Sequence, residues 1–322
     1  MMTMRTTIIS LLLLSIASLL FSLHTGSIHL SFYELLATLM HKGTAWQHDL
    51  VFGLRLPRTL SAFVTGGLLA LAGALLQVLL RNPLADPYVL GISGGAAVGS
   101  LSLILLGQSS YWSNYASFLG ALLSMFIVFV LARDFTASST PSRLLLTGVM
   151  VAAGWGAMIS FMLSIAPNEK LPHMLFWLMG DLSYAHFPDL ELIILVLGLA
   201  FSMVMARQLN ILSRGELQAL SLGVSTKQLR LQLYFLSSLL TAAAVSLAGS
   251  IGFIGLIIPH LLRLVCGSDH RVLLPAAVLL GGTFLVTADS LSRWIFAPQQ
   301  LPVGTITALI GVPLFLCLLR KG

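Results

Sequence analysis

Apolar residues run through this chain in blocks about as long as a bilayer is thick, and the short segments between them gather almost all of the charge. A spanning helix needs roughly 20 apolar residues and must satisfy its backbone hydrogen bonds internally, so each block predicts a helix. Ten are predicted, near residues 5–23, 57–79, 88–107, 113–132, 143–165, 189–206, 231–250, 252–266, 272–291 and 302–319. The eighth is short and holds Pro259 and His260, which suits a half-helix or local thinning. The predicted class is all-α: a polytopic membrane protein, one transmembrane domain over residues 1–322.

Composition supports that class. With 57% hydrophobic and 9% charged residues, and a mean hydropathy of +0.96, a water-soluble fold would expose very large apolar patches. No convincing small-x-small cleavage site follows Leu20 to Gly26, so the first block is expected to stay as a helix rather than leave as a signal.

Basic residues of the connecting segments set orientation. A cytoplasmic N-terminus and ten crossings put Arg5, Arg81, Arg133, Arg143, Arg207, Arg214, Lys227, Arg230, Arg263, Arg271, Arg320 and Lys321 inside, twelve of the 17 Lys and Arg. Lys42, Arg55, Arg58, Lys170 and Arg293 fall outside with seven of the eleven acids. Both termini are therefore expected in the cytoplasm. The formal charge of +6 reads as membrane topology, not as a nucleic-acid surface.

Two internal patterns bear on architecture. Ala70-Leu71-Ala72-Gly73 is followed ten positions on by Pro83, and Ser246-Leu247-Ala248-Gly249 ten positions on by Pro259, in blocks that run in opposite directions. This hints at an inverted repeat relating spans 2–5 to spans 7–10. Gly66, Gly67, Ala70, Gly73 and Ala74, and then Gly91, Gly94, Gly95 and Gly99, form small-residue stripes suited to close helix packing within the chain.

The blocks hold almost no ionisable group away from an end, although a midplane charge costs about 2.5–3.5 kcal/mol and survives mainly where it functions. That disfavours an ion-coupled secondary transporter. Neither a paired acid-base nor a metal constellation lies within a span, which disfavours a membrane enzyme. No lysine follows glycine as in a phosphate-binding GxxxxGK[ST] loop, so any ATP hydrolysis belongs to another subunit. Cys266 and Cys317 lack redox or metal spacing and read as packing residues.

The longest polar cytoplasmic stretch, residues 207–230, reads as a short helix over Glu216 to Leu222, broken by Gly223 before Ser225 and Thr226 cap another helix. A helix-Gly-helix knob between two spans is a candidate docking element for a cytoplasmic partner.

RLPRTL at Arg55, LLRNPLADPYVLGISGGA at Leu79, SRLLLTG at Ser142, GELQALSLGV at Gly215, AGSIGFIGLIIPHLLRL at Ala248, DHRVLLP at Asp269, TADSLSR at Thr287 and LPVGTITALIGVPLFLCLLR at Leu301 stand in the order of one family. Together they resemble the permease subunit of type II ABC importers, the family that imports ferric siderophores, haem and cobalamin. The resemblance covers nearly the whole chain. It implies a multi-pass permease of the bacterial inner membrane, working as a homodimer with two cytoplasmic ABC ATPase subunits and a periplasmic substrate-binding protein. ATP and Mg are then used by the ATPase, and this chain itself binds no cofactor.

Carried over by position, the resemblance makes Glu216, Leu220, Gly223 and Val224 the ATPase contacts, within a coupling segment over Glu216 to Gln228. Arg55 and Arg293 match positions that meet carboxylates on the two lobes of the binding protein, for which each exposed ion pair would contribute about 0.2–1 kcal/mol. Asn82, Pro83 and Leu84 match a turn at the cytoplasmic gate, and Thr140, Pro141 and Ser142 a second gate loop, where Pro141 stiffens a place that holds a small hydroxyl residue in other members. The expected cargo is a bulky metal chelate, ferric siderophore or haem ahead of cobalamin. His24, His29, His41, His48 and His173 have no fixed ligand spacing and read as hydrated residues, while Met174, Phe176, Trp177 and Met179 fit an interfacial apolar helix.

Overall fold

The computed structural model describes residues 4–26, 28, 30–132, 141–183, 185–295, 297 and 299–319. Fourteen α-helices follow one another: α1 (Met4–His24), α2 (Phe32–Leu39), α3 (Ala45–His48), α4 (Leu56–Leu79), α5 (Ile92–Leu105), α6 (Ser110–Leu131), α7 (Pro141–Ile165), α8 (Leu171–Leu178), α9 (Asp189–Leu212), α10 (Glu216–Ser221), α11 (Thr226–Ala248), α12 (Ile254–Cys266), α13 (His270–Trp294) and α14 (Val303–Leu319). A π-helical stretch, Asp49–Arg55, leads into α4, and a 3-10 turn, Pro87–Leu90, precedes α5.

All ten predicted blocks are helices. Among the described residues, seven helical stretches are long and apolar enough to cross a bilayer: α1, the run through α4, α6, α7, α9, α11 and α13. The other three are shorter. At 1.5 Å per residue the 14, 13 and 17 residues of α5, α12 and α14 reach only about 20–26 Å, short of the ~30 Å apolar layer. Irregular backbone makes up the rest, as the short eighth block suggested.

Helix α4 is the axis of the molecule. Nearly every residue from Ser61 to Leu79 is buried, with α13, α11 and α12 packed around it. Glycines allow the close approaches: a Cβ on Gly66 would collide with the carbonyl of Gly281 in α13, and one on Gly73 with the carbonyl of Gly255 in α12. The second stripe packs α5 on α6 through Gly95 against Gly120 and Gly99 against Ala116, so both stripes serve packing within the chain.

The Gly73 crossing repairs a broken hydrogen bond. Pro259 inside α12 has no N–H for the carbonyl of Gly255, four residues earlier. Gln77, one turn beyond Gly73 and 3% exposed, donates from Nε2 to the carbonyls of Gly255 (3.3 Å) and Leu256 (3.1 Å). Its Oε1 accepts from Arg263. An apolar environment makes such a substitute partner necessary.

Helix lengths run long, short, long in both halves, 24, 14 and 22 residues in α4–α6 and 23, 13 and 25 in α11–α13, but the fourth members differ, 25 residues in α7 against 17 in α14, so lengths match the predicted repeat only in part. The short sequence match does not mark equivalent places. Ala70 to Gly73 lies inside α4 whereas Ser246 to Gly249 ends α11, and Pro83 lies in a turn whereas Pro259 lies in a helix. Small apolar residues recur in both because both are tightly packed.

Candidate functional site

Two polar constellations sit at opposite ends of α4. Arg58 and Arg81 are 23 residues apart, which along a helix is about 35 Å.

At the N-terminal end the chain enters α4 through the π-helical stretch, with Pro57 starting the helix where its missing N–H costs nothing. Asp289, 0% exposed near the end of α13, accepts from Arg58 (Nε to Oδ1 3.0 Å, Nη2 to Oδ1 2.8 Å) and from Arg293 (Nε to Oδ2 3.0 Å). With Nε also 3.2 Å from Oδ2, the Arg58 contact is the two-pronged geometry a guanidinium makes best. Arg293, one turn on from Asp289, also donates to the carbonyl of Thr25 (3.0 Å) and to Ser22 Oγ (2.9 Å). Arg55 spends its donors on the carbonyls of Leu23 (2.7 Å), His24 (3.1 Å) and Ile28.

Neither predicted docking arginine is an exposed surface charge, as Arg55 is 5% and Arg293 8% exposed. Both pin the C-terminal end of α1 to the bundle. What they leave open is a cavity of about 130 Å³ walled by Arg55, Arg58, Arg293 and Gln300. Three guanidiniums against one carboxylate give it net positive charge, and it is of a size to admit an anionic side chain. Arg58, read from sequence only as a neighbour of Arg55, is central here. The four-residue spacing of Asp289 and Arg293 was the available signal for their pair, whereas nothing local pointed to Arg58.

At the C-terminal end the structure bears out the short helix and its stop. Gly223 has φ +76°. Its N–H reaches the carbonyl of Leu220 and that of Val224 the carbonyl of Ala219, both at 3.0 Å, which closes α10 in a Schellman motif. Ser225 holds the N-cap position of α11, but its side chain makes no capping hydrogen bond and Thr226 is the first residue of the helix, so the expected cap is one of position only. The candidate contacts divide. Leu220 is 53% exposed beside Leu217 at 85% and Leu222 at 62%, an apolar knob of which sequence reasoning named only one member. Val224 turns inward against the core. Gly223 shapes the backbone.

Glu216 faces its own chain. Its Oε2 accepts from Arg81 and from Arg230, each at 2.7 Å. Partial burial raises its carboxyl pKa, but the hydrogen bond from Arg81 and the charges of Arg230 and Arg81 outweigh that and hold it below the usual range. The clasp is therefore intact above the ordinary carboxylate range and is lost as pH falls through the lowered value.

Arg81 (φ +50°) begins the predicted gate turn. There Asn82 Oδ1 accepts from the N–H of Leu84 (2.9 Å) in an Asx-turn, so α10 is joined directly to Asn82, Pro83 and Leu84. Behind the turn opens a cavity of about 740 Å³, walled partly by Gln77, Arg81, Asn82, Pro83, Arg263 and His270. Of the second gate loop, Thr140 lies outside the described residues, and Pro141 with Ser142 opens α7.

Among the described residues no three His, Cys, Asp or Glu side chains gather as metal ligands. His41 and His48 instead stack with Phe52, ring centroids 5.6 and 4.5 Å away. His29 lies outside the described residues. Met174 and Trp177 of α8 are buried while Phe176 and Met179 are exposed.

Known proteins resemble this chain over most of its length. A solved ABC transporter of metal-chelate type, in an inward-facing conformation, is 33% identical with a TM-score of 0.88, over 99% of this chain and 100% of that one. The hemin transport system permease HmuU of Yersinia pestis is 40% identical over 97% of this chain and 94% of its own. The cobalamin import permease BtuC of Halobacterium salinarum is 45% identical over 83% and 72%, and the molybdate import permease MolB of Haemophilus influenzae 35% over 97% and 94%. The FecCD transport family model matches residues 12–321, and with the whole length of the bundle thus accounted for, this chain belongs to the FecCD family of ABC importer permeases.

Proposed function

We propose that this chain carries a bulky metal chelate, ferric siderophore or haem, across the bacterial inner membrane, as one of two permease copies driven by two cytoplasmic ATPases and fed by a periplasmic binding protein. The observation that carries this reading is the joint between α10 and the gate turn through Glu216 and Arg81. A short capped helix seated in a partner moves as a body, and a salt bridge to the Arg81–Leu84 turn passes that displacement to the mouth of the bundle. Cobalamin is the second reading. The haem-type relative aligns over nearly the whole of both chains, which supports haem, and the higher identity of the cobalamin-type relative keeps cobalamin as the second reading. The cytoplasmic placement of α10 and of both termini rests on the distribution of Lys and Arg.

The test is uptake into proteoliposomes holding the permease and its ATPase, with ATP inside, of labelled ferric siderophore, haem, cobalamin and molybdate presented by the cognate binding protein. ATP- and binding-protein-dependent uptake of an iron chelate is expected. Uptake driven by an ion gradient without ATP would overturn the reading.

Two variants probe the ends. Glu216→Lys puts a third cation between Arg81 and Arg230. It is expected to uncouple ATPase activity from transport while membrane insertion persists, and unchanged vesicle uptake would sink the coupling role. Gly223→Pro, which cannot reach φ +76°, is expected to act alike. At the other end, Arg58→Gln is expected to slow binding-protein association by about three- to tenfold at low salt, with the difference shrinking at high salt. A stopped-flow salt series that shows wild-type rates throughout would count against docking there.

A further inference from the structure

A second cleft, of about 230 Å³, opens between the start of α6 and the start of α9. The hydrogen bond from Ser61 Oγ to the carbonyl of His186 (2.8 Å) ties it to the N-terminal end of α4. One half of its wall is polar: Tyr111, Tyr115, Asp189 and Glu191. The other half is apolar, with Phe118 and Ile194, and meets the exposed apolar flanks of α6 and α9.

Glu191 is the unusual member. Acids in the first turn of a helix complement its dipole and ordinarily stay hydrated. Glu191 is instead 8% exposed, and its Oε2 has no hydrogen-bond partner. A buried carboxylate without a counter-charge is costly, and none of the described lining residues is Arg or Lys. Beside it the ring of His186 is held between Asn114, whose Nδ2 lies 3.2 Å from Nε2, and the carbonyl of Phe187, 2.9 Å from Nδ1.

Tyr111 and Tyr115, linked through their hydroxyls at 3.0 Å with rings edge to face, line the same cleft as the acid. With Trp112 beside them, all three about half exposed, they form an aromatic cluster of the kind that favours headgroup depth. Aromatic faces and carboxylates together favour an organic cation, and the unpartnered Glu191 Oε2 calls for one that still carries N–H donors.

We propose that this cleft holds the headgroup of a phospholipid bearing a primary ammonium, with Glu191 as the counter-charge, Tyr111 and Tyr115 as the aromatic walls, and the apolar half receiving the start of the acyl region. The site stands independently of the cargo.

Native mass spectrometry of the delipidated full-length chain, titrated with phosphatidylethanolamine, phosphatidylcholine and phosphatidylglycerol of one acyl composition, tests it. Wild type is expected to retain phosphatidylethanolamine about fivefold or more over phosphatidylglycerol. Glu191→Gln is expected to abolish that preference. Retention of phosphatidylglycerol or of phosphatidylcholine equal to that of phosphatidylethanolamine by wild type, or an unchanged preference in Glu191→Gln, would overturn the proposal. Occupation by soluble ethanolamine as tight as by the lipid would overturn the lipid assignment. Should Glu191→Gln not fold, Asp189→Asn at the exposed rim carries the test, with a reduced preference expected and an unchanged one overturning it.

Discussion

Replacing Asp289 by alanine is expected to cost about 3–5 kcal/mol of stability, the range for removing one partner of a buried ion pair. Asp289 has no exposed surface and receives both the Arg58 guanidinium and Arg293 Nε. Without it, Arg58 and Arg293 face each other with Arg55 nearby on the same cavity wall, and no acid is among the described residues of that wall. The damage should spread to α1, because Arg293 anchored by Asp289 also holds the carbonyl of Thr25 and Ser22 Oγ. Asp289→Asn, which keeps the acceptor and loses the charge, should fall between alanine and wild type. Equilibrium unfolding in detergent, with limited proteolysis across residues 24–31, reads both effects. A change below about 0.5 kcal/mol would place Asp289 among surface charges and refute the arrangement.

Gly73→Val is expected to be at least as damaging. A Cβ there would overlap backbone atoms of Gly255, which cannot swing aside as a flexible side chain can. Helices α4 and α12 would have to separate, and that would carry Gln77 away from the Gly255 and Leu256 carbonyls, leaving the acceptor opposite Pro259 unsatisfied. Overpacking alone costs about 1–3 kcal/mol, and an orphaned buried acceptor adds about 1–3 kcal/mol. The expected outcome is loss of monodisperse protein on size exclusion. Gly53→Ala is the control, since no atom lies within 4 Å of its built Cβ. A normal profile for Gly73→Val would show that the crossing is looser than described.

Much of the candidate site was visible as residues but not as roles. Glu216 was singled out as a surface a partner would touch, yet its carboxylate clasps Arg81, 135 positions earlier in the chain, and Arg230. Leu217 and Leu222, the most exposed leucines of the knob, could have been found only by knowing which face of a six-residue helix is covered. The segment from Phe32 to Arg55 carries no membrane-length block, because its helices are short. It folds around its own small core of Leu23, Leu30, Leu35 and Val51.

The sequence by itself determined where the ten apolar helices lie, where α10 stops and which family the chain joins. Apolar run length, a glycine at the helix end and ordered motifs are local properties that neighbouring residues settle among themselves. Only the tertiary structure decided that Arg55 and Arg293 are buried, that Asp289 joins Arg58 across 231 positions, and that Gln77 stands in for the N–H that Pro259 lacks. Those facts depend on which helices touch, and a low-dielectric interior makes each charge and each carbonyl seek whatever partner the packing brings within about 3 Å.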